Sequence, residues 1–217
     1  MSKYAKLTSG LIGVWFVFIT GASASHLYLN APNTPPLAFG LAVLTPIVLF
    51  LAWFISSAKF RQFTLSLSPR VLTLIQSWRI VGFTFLALAA FRVLPGLLAL
   101  PAGWGDIAIG ATAPFVALSL AAPGHRKSFI FWQLLGVTDL VTAVALGGLA
   151  GVLDPHGIAP TAMTMLPMSL IPTFGVPLFL MFHFICIVQA IRWPEVAPSS
   201  SSPQVWNAAS PGQGASS

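Results

Sequence analysis

QSWRIVGFTFLALAAFRVLPGLLALPAGWGD, residues 76–106, decides how this chain is read. The stretch is apolar enough to cross a membrane, yet it holds Arg79, Arg92, Asp106 and a Gly/Pro break. A charged side chain at the centre of a bilayer costs about 2.5–3.5 kcal/mol on insertion scales, so each one there calls for a partner or a task. The answering acid, Asp139, stands in the middle of a later apolar run.

Composition sets the class. Of 217 residues, 56% are hydrophobic and only 6% charged, with ten Lys/Arg and four Asp/Glu. A soluble domain carries about 25% charge. So few charges do not cover a soluble surface, and the reading is an all-α, polytopic integral membrane protein. The net charge of +6 does not point to nucleic acid, because the basic residues fall in small groups between apolar runs rather than along one face. The single cysteine, Cys186, has no partner within the chain for a disulfide.

Working outward, the apolar runs divide into six spans at about 7–29, 37–57, 70–94, 104–122, 129–153 and 165–192. The first follows Lys3 and Lys6. An alternative reading is a signal peptide cut after Ala22-Ser23-Ala24, but Trp15, Phe16 and Phe18 are bulky for a signal core. Ser68-Pro69 reads as an N-cap followed by proline at the first helical position. Pro95 and Pro101, with Gly96, Gly103 and Gly105, end the third span and delay the fourth to Trp104. Pro172 and Pro177 remove backbone donors in the sixth span and deprive the carbonyls of Met168 and Thr173 of helical partners. Residues 194–217 are rich in Pro, Ser and Gly, a composition that buries no core, and read as a disordered tail.

Orientation follows from the basic residues. With the N-terminus in the cytoplasm, Lys3, Lys6, Lys59, Arg61, Arg70, Arg126, Lys127 and Arg192 all fall inside. The loops at 30–36 and 154–160 then lie outside with no Lys or Arg of their own, as the positive-inside rule requires. The expectation is an inner (plasma) membrane protein with both termini cytoplasmic.

Candidate pathway or binding residues are Asp139, Arg79, Arg92, Asp106, His183, Gln133 and Gln76. Arg79 and Arg92 are thirteen residues apart, roughly 20 Å along an α-helix, in a hydrocarbon core roughly 30 Å thick. Either both snorkel to opposite head-group layers or one of them is interior. Asp139 is too short to snorkel far. It shares a helix face with Ala143, Gly147 and Gly151, small residues that let helices pack closely. Asp106 repeats the arrangement with Gly110, Ala113 and Ala117. Two ion pairs are expected: Arg92 with Asp106 near the outer side, and Arg79 with Asp139 deeper in. His183 either joins Gln133, Gln76, Arg79 and Asp139 in one polar cluster or is a lone histidine among Met181, Phe182 and Phe184, hydrogen-bonded to a neighbour. His125 and His156 fall in loops, and His26 lies at a different depth from His183, so no shared haem is expected.

No phosphate loop, HExxH, GxSxG or Cys/His metal spacing is present, and no lysine within a span is placed to hold retinal. No catalytic residue, metal site or cofactor is therefore assigned. The leading functional reading is a small transport or ligand-binding membrane protein, proton-linked through Asp139, with the lipid bilayer and a small solute or proton as partners. The second is a structural or assembly subunit bound to another membrane protein, in which the charges only fix helix register. A membrane enzyme or redox protein comes third.

Overall fold

The computed structural model describes residues 3–29, 36–153 and 157–194, with the backbone alone at 151 and 152. The expected outer loop at 30–36 lies outside the described residues except for Pro36, as do the first three residues of the loop at 154–160, His156 among them, and nearly all of the expected disordered tail. Among the described residues every regular element is a helix and no strand occurs. Six helices are long and apolar enough to cross a membrane: Lys3–Ala24, Leu37–Ser56, Pro69–Ala90, Gly96–Leu120, Pro123–Ala150 and Ile171–Ile191.

Helix α1 (Lys3–Ala24) and α2 (Leu37–Ser56) are followed by a short α3 (Ala58–Leu65). Ser57 caps α3 by accepting from Phe60 N at 3.2 Å. Arg61 Nη1 donates to Phe54 O and Ile55 O, both at 3.3 Å, and so covers the last carbonyls of α2. The third long helix is not one α-helix. It consists of α4 (Pro69–Ile75), a 3₁₀ segment (Gln76–Gly82) and α5 (Phe83–Ala90). Ser68 does stand at its N-cap before Pro69, but its hydroxyl makes no capping bond.

Chain reversal after α5 needs only residues 91–95. Arg92 has φ 56, with Val93 N bonded to Leu88 O at 2.8 Å and Arg92 N to Ala89 O at 3.0 Å. This is a Schellman cap built without glycine. Helix α6 (Gly96–Phe115) then starts directly after Pro95. The fourth helix thus begins at Gly96, not Trp104. Pro101 sits within it, and Gly103 and Gly105 act as close-contact residues rather than as breakers. A π turn (Val116–Leu120), a 3₁₀ turn (Pro123–His125), α7 (Arg126–Leu153), a second π turn (Ile171–Gly175) and α8 (Val176–Ile191) complete the bundle.

The proline-rich start of the sixth long helix closes on itself more fully than its sequence suggests. Met168 O accepts from Ile171 N at 3.1 Å, so it is not left unpaired. Ser169 O accepts from both Thr173 N and Thr173 Oγ1, at 3.2 and 2.6 Å. Helix α1 docks on this segment through Trp15 and Phe16 around Phe174, and through Ser23 hydrogen-bonded to Ser169.

Burial runs opposite to that of a soluble protein. Val17, Ile55, Trp78, Phe91 and Leu118 are exposed, whereas Thr73, Gln76, Arg79, Gln133 and His183 are buried. One end of the bundle is tied together by Tyr4 stacked on Phe63, Phe129 against Trp193, and Gln189 Nε2 donating to Leu65 O and Leu67 O. Lys3, Lys6, Lys59, Arg61, Arg70, Arg126, Lys127 and Arg192 are within a few residues of these contacts, so the basic groups gather at that end.

Candidate binding site

Helix α6 lies between the third long helix and α7, and its glycines set how close they come. A Cβ on Gly110 would collide with the backbone of Arg79 and Ile80, and one on Gly82 with Asp106 Cβ. Bare backbone on both sides lets the 3₁₀ segment press against α6. Adjacent residues of α6 serve different neighbours: Asp106 meets Arg79, and Gly105 leaves room for the Asp139 carboxylate of α7.

Within this space Arg79 joins three helices. Its Nε donates to Asp106 Oδ1 at 2.7 Å and its Nη2 to Asp139 Oδ2. Nη1 points to Gly136 O at 3.4 Å and to His183 Nε2 at 3.3 Å. The expected pairing of Arg79 with Asp139 is present, but that of Arg92 with Asp106 is not. Arg92 is an exposed turn residue, and Arg79 takes both acids. The reason is the short reversal: in two antiparallel helices, residues equally far from the turn share a depth. Arg79 and Asp106 are nearly equidistant from Val93.

A guanidinium has no acceptor, so His183 Nε2 must accept, and its proton resides on Nδ1. Nδ1–H donates to Gln133 Oε1, Gln133 Nε2 donates to Thr73 Oγ1 at 3.1 Å, and Thr73 Oγ1 lies 3.9 Å from Cys186 Sγ. Cys186 Sγ faces Pro69 O at 3.9 Å. Every donor in the chain points away from Arg79. An amide in the middle does not relay protons readily, so the chain acts chiefly to fix Arg79 and His183 in place.

Gln133 and His183 therefore belong to the cluster. Gln76 lies one 3₁₀ turn from Arg79 but spends its amide on Phe179 O at 3.4 Å, and its Oε1 has no partner among the described residues. Thr73 and Cys186 were not anticipated. The signal was present: Thr73, Gln76 and Arg79 recur every third residue, with Gly82 and Phe85 continuing the buried row. A strict period of three stays on one face of a 3₁₀ helix and drifts around an α-helix. His26 and His125 are exposed and apart from the cluster.

Above the cluster opens a cavity of about 890 Å³, within the range that holds a drug-sized ligand. Arg79 and Asp106 line one part of it, and Val43, Phe85, Leu140, Ala143 and Phe174 line others. Asp106 faces the space more than Arg79 does, with side-chain exposures of 15% and 1%. Leu44, Trp78, Val81 and Val144 line the cavity and are exposed, as the loop-side residues Leu29, Pro36 and Thr161 also line it, so it reaches from between the helices to one end of the bundle.

Residues 35–191 match the model of a family described as a domain of unknown function (DUF8737). The chain belongs to that family. No curated protein and no solved structure matches it. The DUF8737 region takes in α2 to α8, the whole Arg79 cluster and nearly all of the cavity wall, and leaves α1 outside.

Proposed function

We propose that this chain is an inner-membrane protein that binds a small solute between its helices, as a transporter or ligand-binding protein does. The observation that carries the reading is the 890 Å³ cavity with the Arg79–Asp106 pair in its wall. A polar group in hydrocarbon must be satisfied internally. A buried ion triad beside open space goes further, because it offers charge to whatever enters.

Membrane insertion is supported by the apolar outer face and buried polar interior. Clustering of basic groups at one end favours that end, with both termini, on the cytoplasmic side. The spans of this transmembrane domain are taken as the six long helices. A proton link rests on Asp139 and Asp106: two carboxylates share one guanidinium, with His183 as the remaining titratable neighbour.

The test is ligand-induced stabilisation of the full chain in lipid nanodiscs. A panel of cationic, anionic and neutral lipophilic solutes is screened by melting temperature against wild type and Ala143→Trp, which fills the cavity. Stabilisation of wild type alone is expected. If no solute of any charge distinguishes the two, the binding reading fails.

The assembly-subunit reading draws support from one fact: Arg79 already has acceptors at Nε, Nη1 and Nη2. Under that reading the triad only locks three helices in register, and the Ala143→Trp bundle behaves as wild type in every assay.

A further inference from the structure

We infer that the cavity binds a lipophilic monocation, an organic ammonium or related onium whose charge lies against Asp106 and whose hydrocarbon fills the apolar walls. This rests on the binding reading above and specifies its ligand.

Charge balance is the first argument. Arg79 contributes one positive charge to the cluster, while Asp106 and Asp139 contribute two negative charges when ionised. His183 adds none, because its Nε2 accepts from Arg79. Arg79 and Asp106 are the charged residues among those lining the cavity. With both acids ionised the site is one positive charge short, a deficit that a bound cation or a proton fills, in a setting where water does little to screen it.

Presentation is the second. The guanidinium is nearly sealed behind its acids, and the carboxylate of Asp106 is the group turned toward the space. An entering anion would meet that carboxylate first, whereas a cation would meet it with its Oδ1 held by Arg79 and Oδ2 without a hydrogen bond among the described residues.

The walls decide which cation. A hard metal ion needs several oxygen ligands, and among the described residues no group of three or more His, Cys, Asp or Glu is arranged to hold a metal ion. The cavity instead offers Phe39, Trp78, Phe85, Phe174 and Phe179. Aromatic faces attract organic cations and accept their hydrocarbon alike. Leu44, Trp78, Val81 and Val144, all exposed apolar residues in the lining, add hydrocarbon surface for the apolar part of such a cation.

Tetraphenylphosphonium and tetraphenylborate are matched in size and shape and opposite in charge. They are titrated calorimetrically into the full chain in nanodiscs, with empty discs subtracted. Saturable binding of the phosphonium without binding of the borate is expected. Asp106→Asn should weaken phosphonium binding by at least about tenfold, as loss of a desolvated charge partner does, and Asp106→Glu should retain it. Should Asp106→Asn fold poorly, Asp139→Asn removes the same net charge and should weaken binding in the same direction. Ala143→Trp, which fills the cavity, should abolish binding. Saturable borate binding that Ala143→Trp removes would overturn the cation inference and leave the binding reading standing. Phosphonium binding indifferent to both acid variants would do the same. If neither probe binds saturably, the cation inference falls, and the binding reading stands or falls by the solute panel.

Discussion

Arg79 Nε donates to Asp106 Oδ1 at 2.7 Å across twenty-seven residues and a full reversal of the chain. The same guanidinium reaches Asp139 on a third helix. One cation therefore holds two anions, and the three positions are not equivalent when mutated.

Removing the cation leaves two carboxylates face to face. Arg79→Gln should lower stability by about 3–5 kcal/mol, the cost of an uncompensated buried charge. Asp106→Asn or Asp139→Asn alone leaves a balanced pair and a usable acceptor, so each should cost only about 0.5–1.5 kcal/mol. The triple variant Arg79→Gln/Asp106→Asn/Asp139→Asn should recover much of the loss from Arg79→Gln. Melting temperatures in one detergent rank the four proteins. An Asp139→Asn protein as unstable as Arg79→Gln would contradict the shared-cation geometry.

Close backbone approach at Gly110 makes a second test. Gly110→Ala forces a methyl group against Ile80 N and should cost about 1–3 kcal/mol, as overpacking does. Gly13→Ala has nothing within 4 Å of the added carbon, and should stabilise α1 by up to about 1 kcal/mol through helix propensity alone. Equal effects at the two positions would mean that the 3₁₀ segment does not press on α6.

Arg92 and His26 both hold positive φ at the C′ position of a Schellman cap, at 56° and 60°. A residue with a Cβ pays about 1–2 kcal/mol there, and glycine does not. Arg92→Gly should therefore raise the melting temperature, while Arg92→Ala should not. If the alanine protein gains as much as the glycine protein, charge rather than backbone strain is responsible.

Sidedness is open to direct measurement. Reporters fused after Ala58, Gly124 and Trp193 should all register the cytoplasm, and one inserted at residue 157 the opposite side. A reporter after Gly124 that registers outside would invert the proposed orientation or change the number of spans.

Composition and spacing determined a good deal of this protein. Low charge and long apolar runs fix a helical class, because backbone groups without water must pair within their own segment. Asp139 was legible as interior, since a short acid amid Ala143 and Gly147 has no route to a head-group layer. For His183 and Gln133 the sequence left two readings open, and the packing of α7 against α8 decided that they meet beside Arg79. Tertiary structure alone decided which arginine meets Asp106. That choice depends on where the fourth helix starts: Gly and Pro near 101–105 look like a break, yet the helix runs through Pro101 and uses Gly103 and Gly105 for contact. Moving its start from Trp104 to Gly96 brings Asp106 down to the depth of Arg79 and leaves Arg92 in the turn. The cavity is likewise a tertiary product. No local propensity records a space between helices, because its volume depends on how far α2 stands from the third and fifth long helices, and that distance is set by side chains distant in the chain.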